Sequence, residues 1–214
     1  MVRNKKHIIF DWNGTLIDDT WIFVDILNVL LKPRNIETIT IEQYRKLFCF
    51  PIKQFYKKLG INYNKQSFLQ LEKDFVKEYK MRMYLPGLFS DTITTLDMLL
   101  EKGIKLSILS ASNQNILEKL LIHYQIKDYF NYIKGVDNYG AKGKTENGLT
   151  LLKQIQCHKK DVLIIGDTDY DYKIAKTLEV DSILISSGHQ GEERLNCISD
   201  NVIKSIGQLK DCKL

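Results

Sequence analysis

A doubly wound parallel α/β sheet with an inserted α-helical segment is the architecture this sequence predicts. Three observations predict it. Short, continuously apolar runs recur along the chain, the pattern of strands covered on both faces. Helical periodicities lie between them, so that from about residue 90 onward the order is helix, strand, helix, strand. Residues 16–85 break this rhythm with helical patterns and no convincing strand.

The first apolar run, His7 to Phe10, reads as a buried strand that ends on an acid, Asp11. The insert follows. "WIFVDILNVLLK" ends at Pro33, then come "TIEQYRKLF", "IKQFYKKLG" and a long "KQSFLQLEKDFVKEYKMRM" that runs up to Pro86-Gly87. There is no internal repeat, low-complexity tract or Gly/Ser linker. The insert is therefore expected to be folded, with short hinges near residues 16–20 and 84–88. Residues 1–15 and 88–214 would form the α/β core, and 16–87 the helical unit.

Beyond the insert, Ser90 or Asp91 can cap a helix carrying Ile93, Leu96, Leu99 and Leu100 that stops at Gly103. Lys105 to Leu109 is the next strand. Asn113 can cap a helix carrying Ile116, Leu117, Leu120 and Leu121, and Tyr132 to Val136 is a weaker strand. Thr145 can open a helix carrying Leu149, Leu151, Leu152 and Ile155. Val162 to Ile165 is a strand, Asp169 to Leu178 a short helix, and Ser182 to Ile185 a closing strand.

The chain has 214 residues, enough to bury a good core without staples. A net charge of +5, with 31 Lys and Arg spread along the chain and no basic block, argues against a nucleic-acid partner. Cys49, Cys157, Cys197 and Cys212 are scattered, which excludes zinc-knuckle and redox-pair spacing and fits a reducing cytosol. The apolar run before Asp11 is too short for a signal peptide. Trp21 to Leu31, broken by Asp25 and Asn28, is too short and too polar to span a bilayer. The expectation is a soluble cytoplasmic protein with no membrane partner.

In a parallel sheet all strand C-termini point to one edge, and ligands bind in the crevice there. The first strand ends at Asp11 and "KLSILS" ends at Ser110. "VLIIGDTDYD" ends at Gly166-Asp167, with Asp169 and Asp171 close behind. If the strands are parallel, Asp11, Ser110, Asp167 and Asp171 converge from distant parts of the chain. Clustered carboxylates repel unless a cation lies between them, and hard oxygen ligands favour Mg²⁺. "GAKGKTENG" supplies Lys142 and Lys144 before a helix start. Ser110, Ala111 and Ser112 offer a hydroxyl and backbone N–H groups at another helix start, a phosphate cradle. Gly14-Thr15 permits a tight turn whose N–H groups could face an anion.

These residues carry a resemblance. "FDWNGTL", "ILS", "GK" and "GDTDYD" are similar to the four ordered motifs of the haloacid dehalogenase-like phosphatases, over nearly the whole chain. "YLPG" and "GHQGEERL" resemble the phosphoglycolate phosphatase-like branch. The resemblance implies Asp11 as a nucleophile forming an aspartyl-phosphate, and Mg²⁺ held by Asp11, the backbone carbonyl of Asn13 and Asp167. It implies Ser110 and Lys144 as phosphoryl ligands, with Lys142 as the rival lysine. Asp171 would bind the metal's water shell or hold Lys144, and Asp169 reads as a helix cap or surface acid.

Asn13 departs from the family pattern, where an acid protonates the leaving group and then activates water. An amide cannot take up and release protons in this way. Three readings follow: an enzyme that hydrolyses slowly or uses a substrate or another group needing less proton help; a specialised relative, such as a phosphonoacetaldehyde hydrolase or a phosphomutase-like protein; or a phospho-ligand sensor without turnover.

The insert resembles the small cap of the family, which closes over the sheet edge and favours small phosphorylated metabolites. "YRKLFCFPIKQFYKK" matches its specificity loop. Arg45 or Lys53 could meet a substrate carboxylate there, and Phe48, Phe50 and Phe55 could form an apolar wall. The plainer alternative makes the aromatics cap core and the lysines solvated. Lys53 or Lys57 is the candidate for a phosphonatase Schiff base. Trp12 is expected to pack in the core. His7, His123, His158 and His189 have no ligand spacing, and His189 either lines the site entrance or sits in a loop.

Overall fold

A computed structural model describes residues 4–138 and 143–212. Its centre is a six-stranded parallel sheet: β1 (His7–Phe10), β2 (Lys105–Asn113), β3 (Tyr132–Val136), β4 (Val162–Gly166), β5 (Asp181–Ile185) and β6 (Val202–Ile203), in the order β3-β2-β1-β4-β5-β6. The expected doubly wound α/β class is therefore the observed one. β1 lies in the middle, with Phe10 level with Ile108 on one side and Ile165 on the other. This explains its unbroken apolar run, since all four residues are buried.

Nine α-helices complete the described chain: α1 (Thr20–Leu31), α2 (Ile41–Leu47), α3 (Ile52–Lys58), α4 (Lys65–Arg82), α5 (Thr92–Glu101), α6 (Gln114–His123), α7 (Lys144–Ile155), α8 (Asp169–Leu178) and α9 (Glu192–Asn196). Side chains alternate across the strands. Ile8, Phe10, Ile108 and Ile165 pack on one face with α1, α5 and α6. Ile9, Leu109 and Ile164 pack on the other with α7 and α8. A third apolar cluster, formed by residues between Val24 and Leu71, belongs wholly to α1–α4 and their loops, and Thr40 and Asn64 cap α2 and α4 with reciprocal hydrogen bonds. Trp12 is wholly buried, packed near Tyr124.

One local reading needs correction, and one short strand has no counterpart in the sequence reading. β2 runs on to Asn113, with an irregular register between Leu109 and Asn113, so Ser110, Ala111 and Ser112 belong to the strand end and α6 begins only at Gln114. The cause is continued pairing with β3, where Asn113 still sits opposite Val136. β6 has only two residues and leaves no apolar run to read. Lys142 lies outside the described residues.

Candidate active site

The strand ends bring the acids together. The Asp11 N–H donates to Ile165 O at 2.8 Å, which fixes its backbone at the carboxyl end of β1 between β2 and β4. Asp11, Asp167 and Asp171, all buried, each offer a carboxylate oxygen, and these lie within 4.8 Å of one another. Lys144, the buried first residue of α7, reaches into this cluster from the other side. Its Nζ donates to Asp171 Oδ1 at 2.6 Å and lies 3.0 Å from Asp11 Oδ1. The second contact is an ion pair without hydrogen-bond alignment, so Asp11 Oδ1 is a buried acceptor with no aligned donor. Three hard oxygen donors, one of them orphaned, fit a divalent cation.

Each acid is held differently. Asp171 is the most fully bonded: besides Lys144 it accepts from Thr168 N–H at 3.1 Å and Thr168 Oγ1 at 2.6 Å, closing a box at the start of α8. Asp167 accepts from the His189 N–H at 2.6 Å and from Thr15 Oγ1 at 3.2 Å. Burial pushes the Asp11 carboxyl up, with Lys144 opposing and Asp171 reinforcing the rise. Burial likewise pushes Asp167 up, against the pull of His189. Burial alone would lower the Lys144 ammonium, but Asp11 and Asp171 outweigh it and hold it above the ordinary lysine value.

Glycines make the approach possible. A Cβ on Gly14 would stand 2.4 Å from Asp167 Oδ2, and Gly14 has φ +69°, open to glycine at little cost. A Cβ on Gly188 would stand 2.3 Å from the same oxygen, and one on Gly166 would meet the Asp171 carboxylate at 2.3 Å.

A network the sequence did not disclose surrounds Asn13. Its amide nitrogen donates to Asp19 Oδ2 at 2.5 Å, and its oxygen accepts from Ser112 Oγ at 2.5 Å. Asp19 also accepts from Gly14 N–H at 3.0 Å and pairs with His189 Nε2 at 3.3 Å. His189 Nδ1 is 2.7 Å from the Tyr44 hydroxyl. Burial would lower the His189 imidazole, but the hydrogen bond and charge of Asp19 outweigh it and raise it. His189 lies in the loop after β5 and lines the cavity, and it is also buried; Asp19, Tyr44 and Tyr79, whose hydroxyl lies 3.4 Å from the Asn13 amide nitrogen, carry no motif of their own. The only signal in the sequence was the second acid of the pair Asp18-Asp19, placed just before α1.

Above Asp11 is a cavity of about 1070 Å³, counting its open mouth. Asp11, Asn13, Ser110, Ala111, Ser112 and Asp167 form its floor. Phe48, Phe50 and Phe55 form part of its wall and also pack in or against the α1–α4 apolar cluster, so both readings of that loop describe them. Arg45 and Lys53 are not among the described lining residues. Arg45 donates instead to Gly188 O at 2.8 Å and Ser187 O at 2.5 Å, because α2 lies against the loop after β5 and offers it two carbonyls. Lys53 is exposed, its Nζ 4.8 Å from the Phe68 ring centroid. Lys57 is also exposed. Arg194 donates to Phe48 O at 2.5 Å and Gln190 to the same oxygen at 3.2 Å, so the end of α2 is clasped to the loop after β5 and to α9. Asp169, read as a cap or surface acid, pairs with Lys173 at 2.9 Å and Arg194 at 3.4 Å.

A family profile described as "Haloacid dehalogenase-like hydrolase" matches residues 8–185. A phosphoglycolate phosphatase of Aquifex aeolicus is 25% identical over 170 residues, covering 79% of each chain. One from Aliivibrio fischeri is 21% identical over 214 residues, covering 95% of this chain and 93% of its own. Among solved structures, a haloacid dehalogenase-like family protein from Streptococcus pneumoniae superposes with a TM-score of 0.82 at 20% identity, over 97% of this chain and 98% of the other. That likeness concerns the fold. Among the described residues, no helix is long and apolar enough to cross a membrane, and the four cysteines are unpaired. The match across residues 8–185, which include Asp11, Lys144 and Asp167, means that this chain belongs to the haloacid dehalogenase-like hydrolase family.

Proposed function

We propose that this chain is a cytoplasmic, Mg²⁺-dependent phosphatase of small phosphomonoesters that works through an aspartyl-phosphate on Asp11. The observation that carries the reading is the Asp11 carboxylate at the floor of a cavity, 3.0 Å from Lys144 and clustered with Asp167 and Asp171. Asp11, Asp167 and the backbone carbonyl of Asn13 would hold Mg²⁺. When bound, the ion neutralises charge, so that a carboxylate can meet a phosphate dianion. Ser110 and Lys144 would bind the phosphoryl oxygens, with the Gly14, Thr15 and Ala111 backbone around them. Asp171 positions Lys144.

In the first step an Asp11 oxygen bonds to phosphorus while the bond to the leaving oxygen breaks, and that oxygen departs as an oxyanion that takes its proton from water. In the second, water attacks phosphorus and gives up a proton to solvent, the bond between phosphorus and the Asp11 oxygen breaks to restore the carboxylate, and phosphate leaves. Asn13 neither gives nor takes the proton. Its hydrogen bonds to Asp19 and Ser112 hold the floor in shape. The helical unit 16–87 serves as the lid that limits water.

The phosphonatase reading needs a lysine at the reacting carbon, and neither Lys53 nor Lys57 lines the cavity. The sensor reading shares the whole site. Phosphate release from a phosphomonoester panel, with and without Mg²⁺, on wild type and Asp11→Asn, separates them. Mg²⁺-dependent turnover abolished by Asp11→Asn supports the phosphatase. Binding without turnover on any substrate overturns it in favour of the sensor.

A further inference from the structure

The wall of the cavity is aromatic on nearly every side. Phe23, Phe48, Phe50, Phe55, Phe75 and Tyr79 line it. Their rings are mutually packed, with centroids 5.4 Å apart for Phe23–Phe75, 5.4 Å for Phe48–Phe50 and 5.2 Å for Phe48–Phe55. Such edge-on and tilted contacts hold the wall in one shape before anything binds.

The charges point the same way. Among the described lining residues the acids are Asp11, Asp167 and Glu72, the imidazole is His189, already held by Asp19 and Tyr44, and none is Lys or Arg. Lys144 is held by Asp11 and Asp171 at the phosphoryl end, away from the wall, and Arg45 by the carbonyls of Ser187 and Gly188. A second negative charge on the substrate would be buried against phenyl rings and acids, with no Lys or Arg among the described lining residues to meet it, which is costly.

The floor adds an independent constraint. Asn13 cannot protonate a leaving oxygen, so a leaving group that departs as a weakly basic oxyanion is favoured. Phenols, with pKa near 10 as in tyrosine, are far better in this respect than aliphatic alcohols.

Resting on the phosphatase reading, we infer that the substrate is an aryl phosphomonoester, whose uncharged aromatic ring fills the space above Asp11, and not a phosphorylated carboxylic acid such as phosphoglycolate. The ring is held by stacking and desolvation against the Phe23–Phe75 and Phe48–Phe50–Phe55 groups, and the phosphoryl end faces Asp11 and Ser110.

The test has a turnover arm and a binding arm, both with Mg²⁺. In the first, kcat/KM is compared for phenyl phosphate, 1-naphthyl phosphate, 4-carboxyphenyl phosphate and 2-phosphoglycolate. The expected order places both uncharged aryl esters at least 100-fold above 2-phosphoglycolate, with the para-carboxylate costing at least 10-fold. In the second, calorimetry compares phenylphosphonate with phosphonoacetate, which removes leaving-group reactivity from the comparison. Phenylphosphonate is expected to bind at least 10-fold tighter, and Phe75→Ala to shrink that ratio. Equal or better use of 2-phosphoglycolate or of the para-carboxylate, or tighter binding of phosphonoacetate, overturns the inference. Preferential binding of phenylphosphonate with no turnover of any ester would sink the phosphatase reading while leaving the cavity's aryl preference standing.

Discussion

The Asn13 amide nitrogen donates to the Asp19 carboxylate at 2.5 Å, so the position where relatives carry an acid is here pinned to a buried acid. Two carboxylates this close cannot both ionise. Asn13→Asp would therefore introduce a carboxylic acid that keeps its proton to preserve the bond. Phosphate release from poor leaving groups should rise by about 10-fold or more, within the range general acids supply. Assaying an alkyl and an aryl phosphate side by side checks this, since only the alkyl ester needs the full help.

Lys144 is the one described cation inside the acid cluster. Lys144→Met should reduce turnover by about 100-fold or more through loss of phosphoryl binding. It should also destabilise the metal-free protein by about 3–5 kcal/mol, because buried acids lose their partner. Adding Mg²⁺ should then raise the melting temperature more in the variant than in wild type.

Gly188 has no special backbone angle, yet a Cβ there would lie 2.3 Å from Asp167 Oδ2 and 2.4 Å from Gly14 O. Gly188→Ala must displace Asp167 or the loop that carries it. The expected result is a loss of activity of about 10-fold or more, with a higher Mg²⁺ concentration needed for half-maximal rate. A Mg²⁺ titration of the variant reads both.

Arg45 clasps α2 to the loop after β5 through Ser187 O and Gly188 O. Arg45→Ala should loosen closure for every substrate alike, raising KM several-fold whether or not the substrate bears a carboxylate. A loss confined to carboxylate substrates would instead make Arg45 a substrate ligand. Comparing phenyl phosphate with 2-phosphoglycolate decides between the two.

His7 is buried in β1 with Nε2 2.7 Å from Ser107 Oγ and Nδ1 without a partner among the described residues. Burial, helped by the nearby Lys105 charge, lowers its pKa from 6.5 to about 4. The unfolded chain then binds a proton that the folded chain refuses, so stability present above pH 6.5 is lost as pH falls towards about 4. The loss should be on the order of 1 kcal/mol between pH 7 and 5. Urea denaturation of wild type and His7→Gln at both pH values checks it, with the variant showing the smaller drop.

The α/β class, the parallel strands and the helical insert were legible in the sequence because they depend on local patterns. Continuous apolar runs mark doubly covered strands, and a period near 3.6 marks helices. Convergence of Asp11, Ser110, Asp167 and Asp171 was legible too, because parallel strands end at one edge whatever their spacing in sequence. The tertiary structure alone decided the rest. Asp19, Tyr44 and His189 are 25 to 170 positions apart and meet only when α1 and α2 lie over the loop after β5. Arg45 and Lys53 looked equivalent as cations on one loop, but packing sent the first to two carbonyls and the second to the surface. Periodicity tells which face of a helix is apolar. What that face touches, and which charge is left to meet a ligand, depends on contacts between distant segments that no local pattern encodes.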